Sequence, residues 1–196
     1  INGMRTVEVR VLLKAINTLV LARALAAHPA INVQCSAVEG NENYTLRERL
    51  MYLGLPAPLF TIDLDTEMGR RISRHAFQRF FDCLEPAFGL QVTLGQVNTV
   101  VVCPALTSHS ELSDEALRQA GISLTTIRIA VGDEDPRGLL AHLMQAAELA
   151  LEPECPGFSR HFGQPQAIDA LYESTYVDVH RRYAASRPRM QQMLSP

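Results

Sequence analysis

Apolar residues recur along the chain with two spacings, and these predict an alternation of helices and strands. A spacing near 3.6 residues predicts a long helix over residues 5–28, which His28 and Pro29 end. Alternation of apolar and polar residues, or a short apolar run, predicts strands at 31–35, 59–64, 100–102 and 126–131. Further helices are predicted at 45–53, from Asp65 or Thr66 to Leu84, at 113–121, at 136–151 and at 166–183.

The order of these elements predicts an α+β fold. Several strands follow one another through loops that are short for parallel crossovers, which favours antiparallel pairing. We therefore expect a small, mostly antiparallel sheet of three to five strands with helices on one face. Val92 is a candidate for one additional short strand in the otherwise ambiguous stretch 88–103.

The residue composition and the hydrophobic pattern change after residue 152. Three prolines and two glycines interrupt residues 153–165, which predicts an irregular segment. A helical pattern then returns. We therefore divide the chain into a core domain, residues 1–152, and a C-terminal appendage, residues 153–196, that consists of the irregular segment and a helix.

Composition narrows the class of protein. The chain has 196 residues, 47% of them hydrophobic, and a net charge of -3, so we expect one soluble core with neither nucleic acid nor a membrane as partner. The four cysteines are far apart and no signal peptide pattern is present, which favours the cytoplasm and gives no metal site. Of 18 basic residues, Lys14 is the only lysine, so it is the only side chain able to form a Schiff base.

Motifs of self-sufficient enzymes are missing from the sequence. None of the standard phosphate-loop, dinucleotide, zinc-protease or serine-hydrolase patterns occurs. His109 lies between Ser108 and Ser110, but neighbouring side chains on a strand point to opposite faces. A polar turn is therefore favoured over a nucleophile and its base, and we assign no catalytic residue.

Arg128 is the most informative single residue. It lies in the middle of the apolar strand 126–131, where it shares a face with Thr126 and Ala130. A guanidinium inside such a strand needs an anionic partner, because an unpaired buried charge is costly. Three environments are open: an internal carboxylate, solvent on one side of the sheet, or the carboxylate of a ligand, which arginine binds with two parallel hydrogen bonds.

An ordered set of short motifs resembles a known family. It comprises Gly3 to Val7, Val92 to Gly95, Pro104 to His109, Leu112-Ser113, Ala120 to Ile122 and Ile127 to Asp135. Together these motifs resemble the C-terminal domain of the pyridoxal-phosphate-dependent enzymes of cysteine and methionine metabolism, which belong to fold-type I. The resemblance covers about residues 3–150 and implies a small, mainly antiparallel sheet that packs on a larger cofactor-binding domain.

The resemblance also implies roles for two side chains. Arg128 matches the arginine that grips the α-carboxylate of the amino-acid substrate, and Thr93 matches a serine that lines the same pocket. Three positions depart from the family pattern: Cys103 replaces a usual histidine, Asn98 a usual glutamate and Ala130 a usual serine. These departures leave the identity of the substrate open.

Residues that hold pyridoxal phosphate in the family belong to the preceding domain. Lys14 matches no cofactor lysine, so we expect this chain to bind no cofactor alone and to need the missing N-terminal domain as partner. The resemblance implies elimination or replacement at the β or γ carbon of an amino acid. A stand-alone, non-catalytic interaction or regulatory protein derived from the same fold is the alternative. We also expect homo-oligomers, because an uncovered domain would expose apolar residues such as Val7, Val11 and Leu12.

Overall fold

The computed structural model describes residues 2–64 and 72–187 and shows an α+β fold. The helices are α1 (Asn2–Arg5), α2 (Val7–Ala26), α3 (Tyr44–Leu50), α4 (Arg74–Asp82), α5 (Asp114–Gln119), α6 (Pro136–Ala150) and α7 (Pro165–Ser186). The strands are β1 (Asn32–Gln34), β2 (Leu59–Asp63), β3 (Gly89–Leu90), β4 (Val100–Val102) and β5 (Thr126–Ala130). Short 3-10 turns span Tyr52–Gly54 and Ser159–His161.

The five strands form one sheet in the order β1-β2-β5-β4-β3. Every pairing is antiparallel except that of β3 with β4. β5 lies at the centre, and Arg128 in its middle is paired with Thr61 of β2 and Val102 of β4. The predicted fold class, including the mostly antiparallel sheet, is confirmed.

One face of the sheet carries the hydrophobic core. Ile127 and Ile129 of β5 join Phe60, Ile62 and Val101 of the neighbouring strands in a single buried cluster. Side chains of α2, α4 and α6 belong to the same cluster, so the helices cover this face. Because side chains alternate along a strand, Arg128 lies on the opposite face, as the sequence pattern predicts.

Capping side chains mark the starts of three of the described helices, α4, α5 and α6. Ser113 and Asp135 cap α5 and α6 by accepting hydrogen bonds from backbone amides, and Pro136 occupies the first turn of α6. The helix predicted to run to Leu84 has its predicted start, Asp65 or Thr66, outside the described residues. α4 instead begins at Arg74, because the Ser73 hydroxyl accepts from the Ala76 amide.

Two further expectations are wrong in detail. Val92 is not in a strand: the additional strand is β3, and Val92 is exposed in the following loop. The predicted apolar patch includes Val7 and Val11, which are about half exposed, but Leu12 is 6% exposed and packs in the core.

Among the described residues, no helix is both long and apolar enough to span a lipid bilayer.

The C-terminal segment packs on the rest of the chain. The His28 ring lies 4.5 Å from that of Phe158 and 4.8 Å from that of Phe162. Its Nδ1 accepts from the Ala30 amide at 3.1 Å, so its Nε2 donates to the Phe158 carbonyl at 2.9 Å. α7 then runs along α2 and buries Thr175 and Val179. The division at residue 152 thus stays a prediction about domains, within a structure where the two parts touch.

His28 should make stability depend on pH. Burial lowers the pKa of its imidazole below the ordinary 6.5, and the nearby His161 lowers it further. The unfolded chain then binds a proton more readily, so stability is full above about pH 6.5 and falls as pH drops through the folded-state pKa. Denaturant unfolding from about pH 7.5 to 5 should show this loss.

Replacing His28 by Gln should remove that part of the pH dependence, at a cost in stability at neutral pH. His109→Gln is the matched control, because His109 is exposed. If the His28→Gln chain keeps the same slope as the wild type while His109→Gln lowers it, the assignment to His28 is wrong.

Candidate functional site

Arg128 is half-buried and has no acidic partner in the described part of the chain. Its Nη2 donates to the Val92 carbonyl at 3.2 Å, and it forms no ion pair with residues 2–64 or 72–187. Asp63 lies on the same sheet face, but its carboxylate accepts from the hydroxyls of Ser123, at 2.6 Å, and Thr126. A guanidinium left in this state can bind the carboxylate of a ligand.

Asp133 and Glu134 follow β5 directly and are the nearest acids in sequence, yet neither pairs with Arg128. Asp133 instead faces Lys14 of α2, with Oδ1 3.8 Å from the ammonium nitrogen. Glu134 accepts from the Thr99 amide and, at 2.9 Å, from the Thr99 hydroxyl. The Glu134 carboxylate therefore holds the loop that precedes β4 directly, whereas Asp133 faces the lysine that contacts this loop, and its Oδ1 has no hydrogen-bond partner in the described structure.

Further hydrogen bonds fix the same loop, which spans residues 91–99. Lys14 donates to the Gln96 carbonyl, and the Asp133 amide donates to the Val97 carbonyl at 2.6 Å. The Gly132 amide donates to the Thr99 hydroxyl at 2.9 Å. We name these contacts the loop anchor.

Gly132 is required in the loop anchor because the two chain segments nearly touch. A Cβ at this position would lie 2.3 Å from the Val97 carbonyl oxygen and 2.4 Å from the Asn98 carbonyl carbon. Asn17 of α2 supports the turn from the other side through bonds to the carbonyls of Gly132, at 3.1 Å, and Glu134, at 2.8 Å. Sequence reasoning missed this arrangement, although the run from Gly132 to Asp135 was its available signal.

The anchored loop holds Thr93 next to the residue that Arg128 contacts. Thr93 is half-buried and directly follows Val92, whose carbonyl accepts from Arg128. The loop also presents Val92, Leu94 and Val97 with 61%, 52% and 65% of their surface exposed. Two predicted site residues thus lie in one region, bordered by apolar side chains that nothing in the described chain covers.

Other candidate chemistry lies elsewhere. Ser108 and His109 contact each other, with Oγ 2.8 Å from Nδ1, and residues 104–112 form turns, as the favoured polar turn predicts. This pair is exposed, and no described acid orients the imidazole. Burial raises the pKa of the Cys103 thiol, which keeps it protonated. In the described ranges, no group of three side chains could ligate a metal.

Fold and site together define an α+β structure whose central strand carries an arginine on the face opposite the helical core, with no acidic partner among the described residues. A family model for the Cys/Met metabolism PLP-dependent enzymes matches residues 1–148, so the chain belongs to that family. The resemblance found in the sequence is confirmed.

Curated relatives match the same region. Homocysteine synthase of Schizosaccharomyces pombe is 28% identical over 151 residues, which cover 76% of this chain and 33% of that protein. L-methionine gamma-lyase of Pseudomonas deceptionensis is 32% identical over 146 residues, or 74% and 34% of the two chains. The chain thus spans about a third of the length of these relatives.

Solved structures agree in fold. A Campylobacter jejuni protein described as an O-acetylhomoserine (thiol)-lyase superposes with a TM-score of 0.64 at 29% identity, over 75% of this chain and 33% of its own. It carries N'-pyridoxyl-lysine-5'-monophosphate. Cystathionine gamma synthase of Xanthomonas oryzae pv. oryzae, in complex with cystathionine, gives 0.63 at 26% identity, over 76% and 37%.

Pyridoxal phosphate is the cofactor of this family, but the residues of this chain do not fit it. The only lysine is Lys14, and it is 6% exposed. Its ammonium group is held by the Gln96 carbonyl and faces Asp133. An internal aldimine needs a lysine free to reach the cofactor aldehyde, and this lysine is a structural cation.

The loop anchor should fail if Gly132 gains a side chain. Gly132→Ala should lower the free energy of unfolding by about 3 kcal/mol, because the new Cβ meets backbone atoms that cannot move aside. Gly138→Ala is the matched control, since nothing lies within 4 Å of its Cβ position in α6. That variant should gain up to about 1 kcal/mol, because alanine favours helices. Equal stability of the two variants in denaturant unfolding would contradict the role of Gly132.

Proposed function

We propose that this chain supplies the carboxylate-binding part of a pyridoxal-phosphate-dependent enzyme of sulfur amino-acid metabolism. Arg128 binds the α-carboxylate of the amino-acid substrate, and Thr93 lines the same pocket. The observation that carries this proposal is the guanidinium of Arg128, which lies in the central strand without an ion pair to any described residue. A fixed guanidinium binds a planar carboxylate with two charge-assisted hydrogen bonds.

The loop beside Arg128 supports the presence of a covering partner. Val92, Leu94 and Val97 are all more than half exposed on a segment that the loop anchor holds firmly. Apolar groups clustered in this way are typical of interaction surfaces. The partner we propose is the cofactor-binding domain, which would bury these side chains and exclude water from the salt bridge between Arg128 and the substrate.

The relatives indicate the class of reaction. Two of them are named as an L-methionine gamma-lyase and an O-acetylhomoserine (thiol)-lyase, and these names describe an elimination and a replacement on amino acids. We propose a reaction of this class, with an amino acid as substrate. This chain has no free lysine to attach the cofactor, so its contribution is to bind and orient the substrate and not to catalyse alone.

Arg128 should control catalysis in the enzyme that contains this chain. Arg128→Ala should lower kcat/KM by roughly 100-fold, or about 3 kcal/mol, because the substrate carboxylate would lose its charged partner. Arg128→Lys should recover only part of this loss, since an ammonium group cannot form two parallel bonds. Steady-state kinetics with an O-acylated homoserine, cystathionine or methionine measures the effect.

Arg118→Ala is the matched control, because Arg118 is exposed and pairs with Glu115 on the surface of α5. Its kcat/KM should equal that of the wild type. If Arg128→Ala also keeps wild-type kcat/KM while folding normally, the carboxylate role is wrong. The alternative of a non-catalytic interaction or regulatory protein would then be favoured.

Lys14 should not react with the cofactor. The 196-residue chain, mixed with pyridoxal phosphate and reduced with borohydride, should show no pyridoxyl group on Lys14, because the ammonium group is buried beside Asp133. Peptide mass spectrometry and the visible absorbance of the unreduced mixture both report the adduct. An absorbance band that disappears in Lys14→Met would show that this chain does hold the cofactor.

A further inference from the structure

A polar cleft lies between α2 and the C-terminal helix α7, on elements that do not carry the Arg128 site. Its volume is about 260 Å³, which is slightly below the size of sites for drug-like ligands. The charged side chains that line it are Arg23, Arg47, Glu48, Asp178 and Arg182. Three guanidinium groups thus face two carboxylates, so the cleft carries an excess positive charge.

Internal ion pairs use both carboxylates. Glu48 accepts from Arg47 at 2.7 Å and lies 3.6 Å from Nη1 of Arg182. Asp178 lies 2.9 Å from Nε of Arg182, one helical turn away on α7. Arg47 is 5% exposed, and it also donates hydrogen bonds to the carbonyls of Ser36 and Gly54. Arg47 and Arg182 therefore have the carboxylates as partners and do not supply the excess charge.

Arg23 supplies the excess positive charge. Its Nε donates a long bond of 3.4 Å to the Ala37 carbonyl, and it forms no ion pair within the described ranges. A guanidinium carries five N–H donors, so most of those of Arg23 have no acceptor among the residues that the structure describes. Arg23 is half-buried, which limits how well water can satisfy them.

Thr175 gives an independent indication of a ligand. It lines the same cleft and is 4% exposed, and its hydroxyl has no hydrogen-bond partner in the described structure. The Leu171 carbonyl, four residues earlier, would be the usual acceptor in a helix, but it accepts from Ser174 at 3.1 Å. A buried hydroxyl without a partner is unfavourable, so nearly all such groups in proteins are satisfied.

We infer that this cleft binds a small oxyanion, either a carboxylate or inorganic phosphate. The anion would neutralise Arg23, accept two parallel hydrogen bonds from its guanidinium and accept a third from the Thr175 hydroxyl. It would join α2, which lies within the family match, to α7, which lies outside it. The proposal is independent of the Arg128 site and of the cofactor.

Calorimetric titration of the 196-residue chain at constant ionic strength tests this inference, with inorganic phosphate in one arm and acetate in the other. We expect saturable binding of one equivalent, together with a rise in Tm that grows with anion concentration. The arm with the higher affinity distinguishes a tetrahedral from a planar anion. Titration with neither anion saturating in the millimolar range would overturn the proposal.

Three variants locate the site. Arg23→Gln should weaken binding by roughly tenfold or more, and Thr175→Val, which keeps the shape of the side chain, by several-fold. Arg118→Gln, which removes an exposed arginine on α5, should bind as the wild type does. Because Thr175→Val removes a buried polar group without a partner, it should remain folded even if Arg23→Gln does not. Binding left unchanged by either cleft substitution in a folded chain would contradict the assignment.

Discussion

The position of the candidate site depends on how the Glu134 carboxylate holds Thr99. Glu134 follows β5 and accepts from both the amide and the hydroxyl of Thr99, which precedes β4. The close contact at Gly132 and the ammonium group of Lys14 hold the rest of the same loop. Because that loop carries Val92 and Thr93, the loop anchor fixes the surroundings of Arg128. The guanidinium of Arg128 is not one of the groups that form the loop anchor.

The charged groups near the end of β5 have two different roles: the acids and Lys14 belong to the loop anchor or face it, and Arg128 does not take part in it. The acids that follow β5 face one backbone amide, one hydroxyl and one lysine, and neither of them faces Arg128. Within residues 2–64 and 72–187, the arginine has one backbone carbonyl as partner, and it lies on the sheet face opposite the helical core. A charged group kept in this state is typical of a binding site and costly for a merely structural residue.

Local sequence patterns were sufficient for most of the elements and for the face of β5 on which Arg128 lies, but not for β3 or for the start of α4. The alternation of Ile127, Arg128 and Ile129 reports which side chains are buried, and that information is contained in the strand itself. The loop anchor could not be predicted in the same way, because Lys14 and Asp133, or Thr99 and Glu134, are distant in sequence. Leu12 was placed on the surface for a similar reason, since α2 is buried on more than one side.

The C-terminal segment shows the same limit of sequence reasoning. Its prolines and glycines predict an appendage but do not indicate where it packs, and the contact between His28 and Phe158 shows that it lies against the core. Among 17 arginines, composition cannot distinguish Arg23 and Arg128 from those that face solvent or pair with carboxylates. The packed structure shows which guanidinium groups have no acidic partner among the described residues.

The decisive measurement is a structure of the enzyme that contains this chain, with an amino-acid substrate or inhibitor bound. We expect both carboxylate oxygens to lie about 2.7–2.9 Å from guanidinium nitrogens of Arg128. We also expect Thr93 to line the pocket and the apolar loop beside it to be covered. A ligand carboxylate bound by other residues, with Arg128 still turned to the Val92 carbonyl, would contradict the carboxylate role of Arg128.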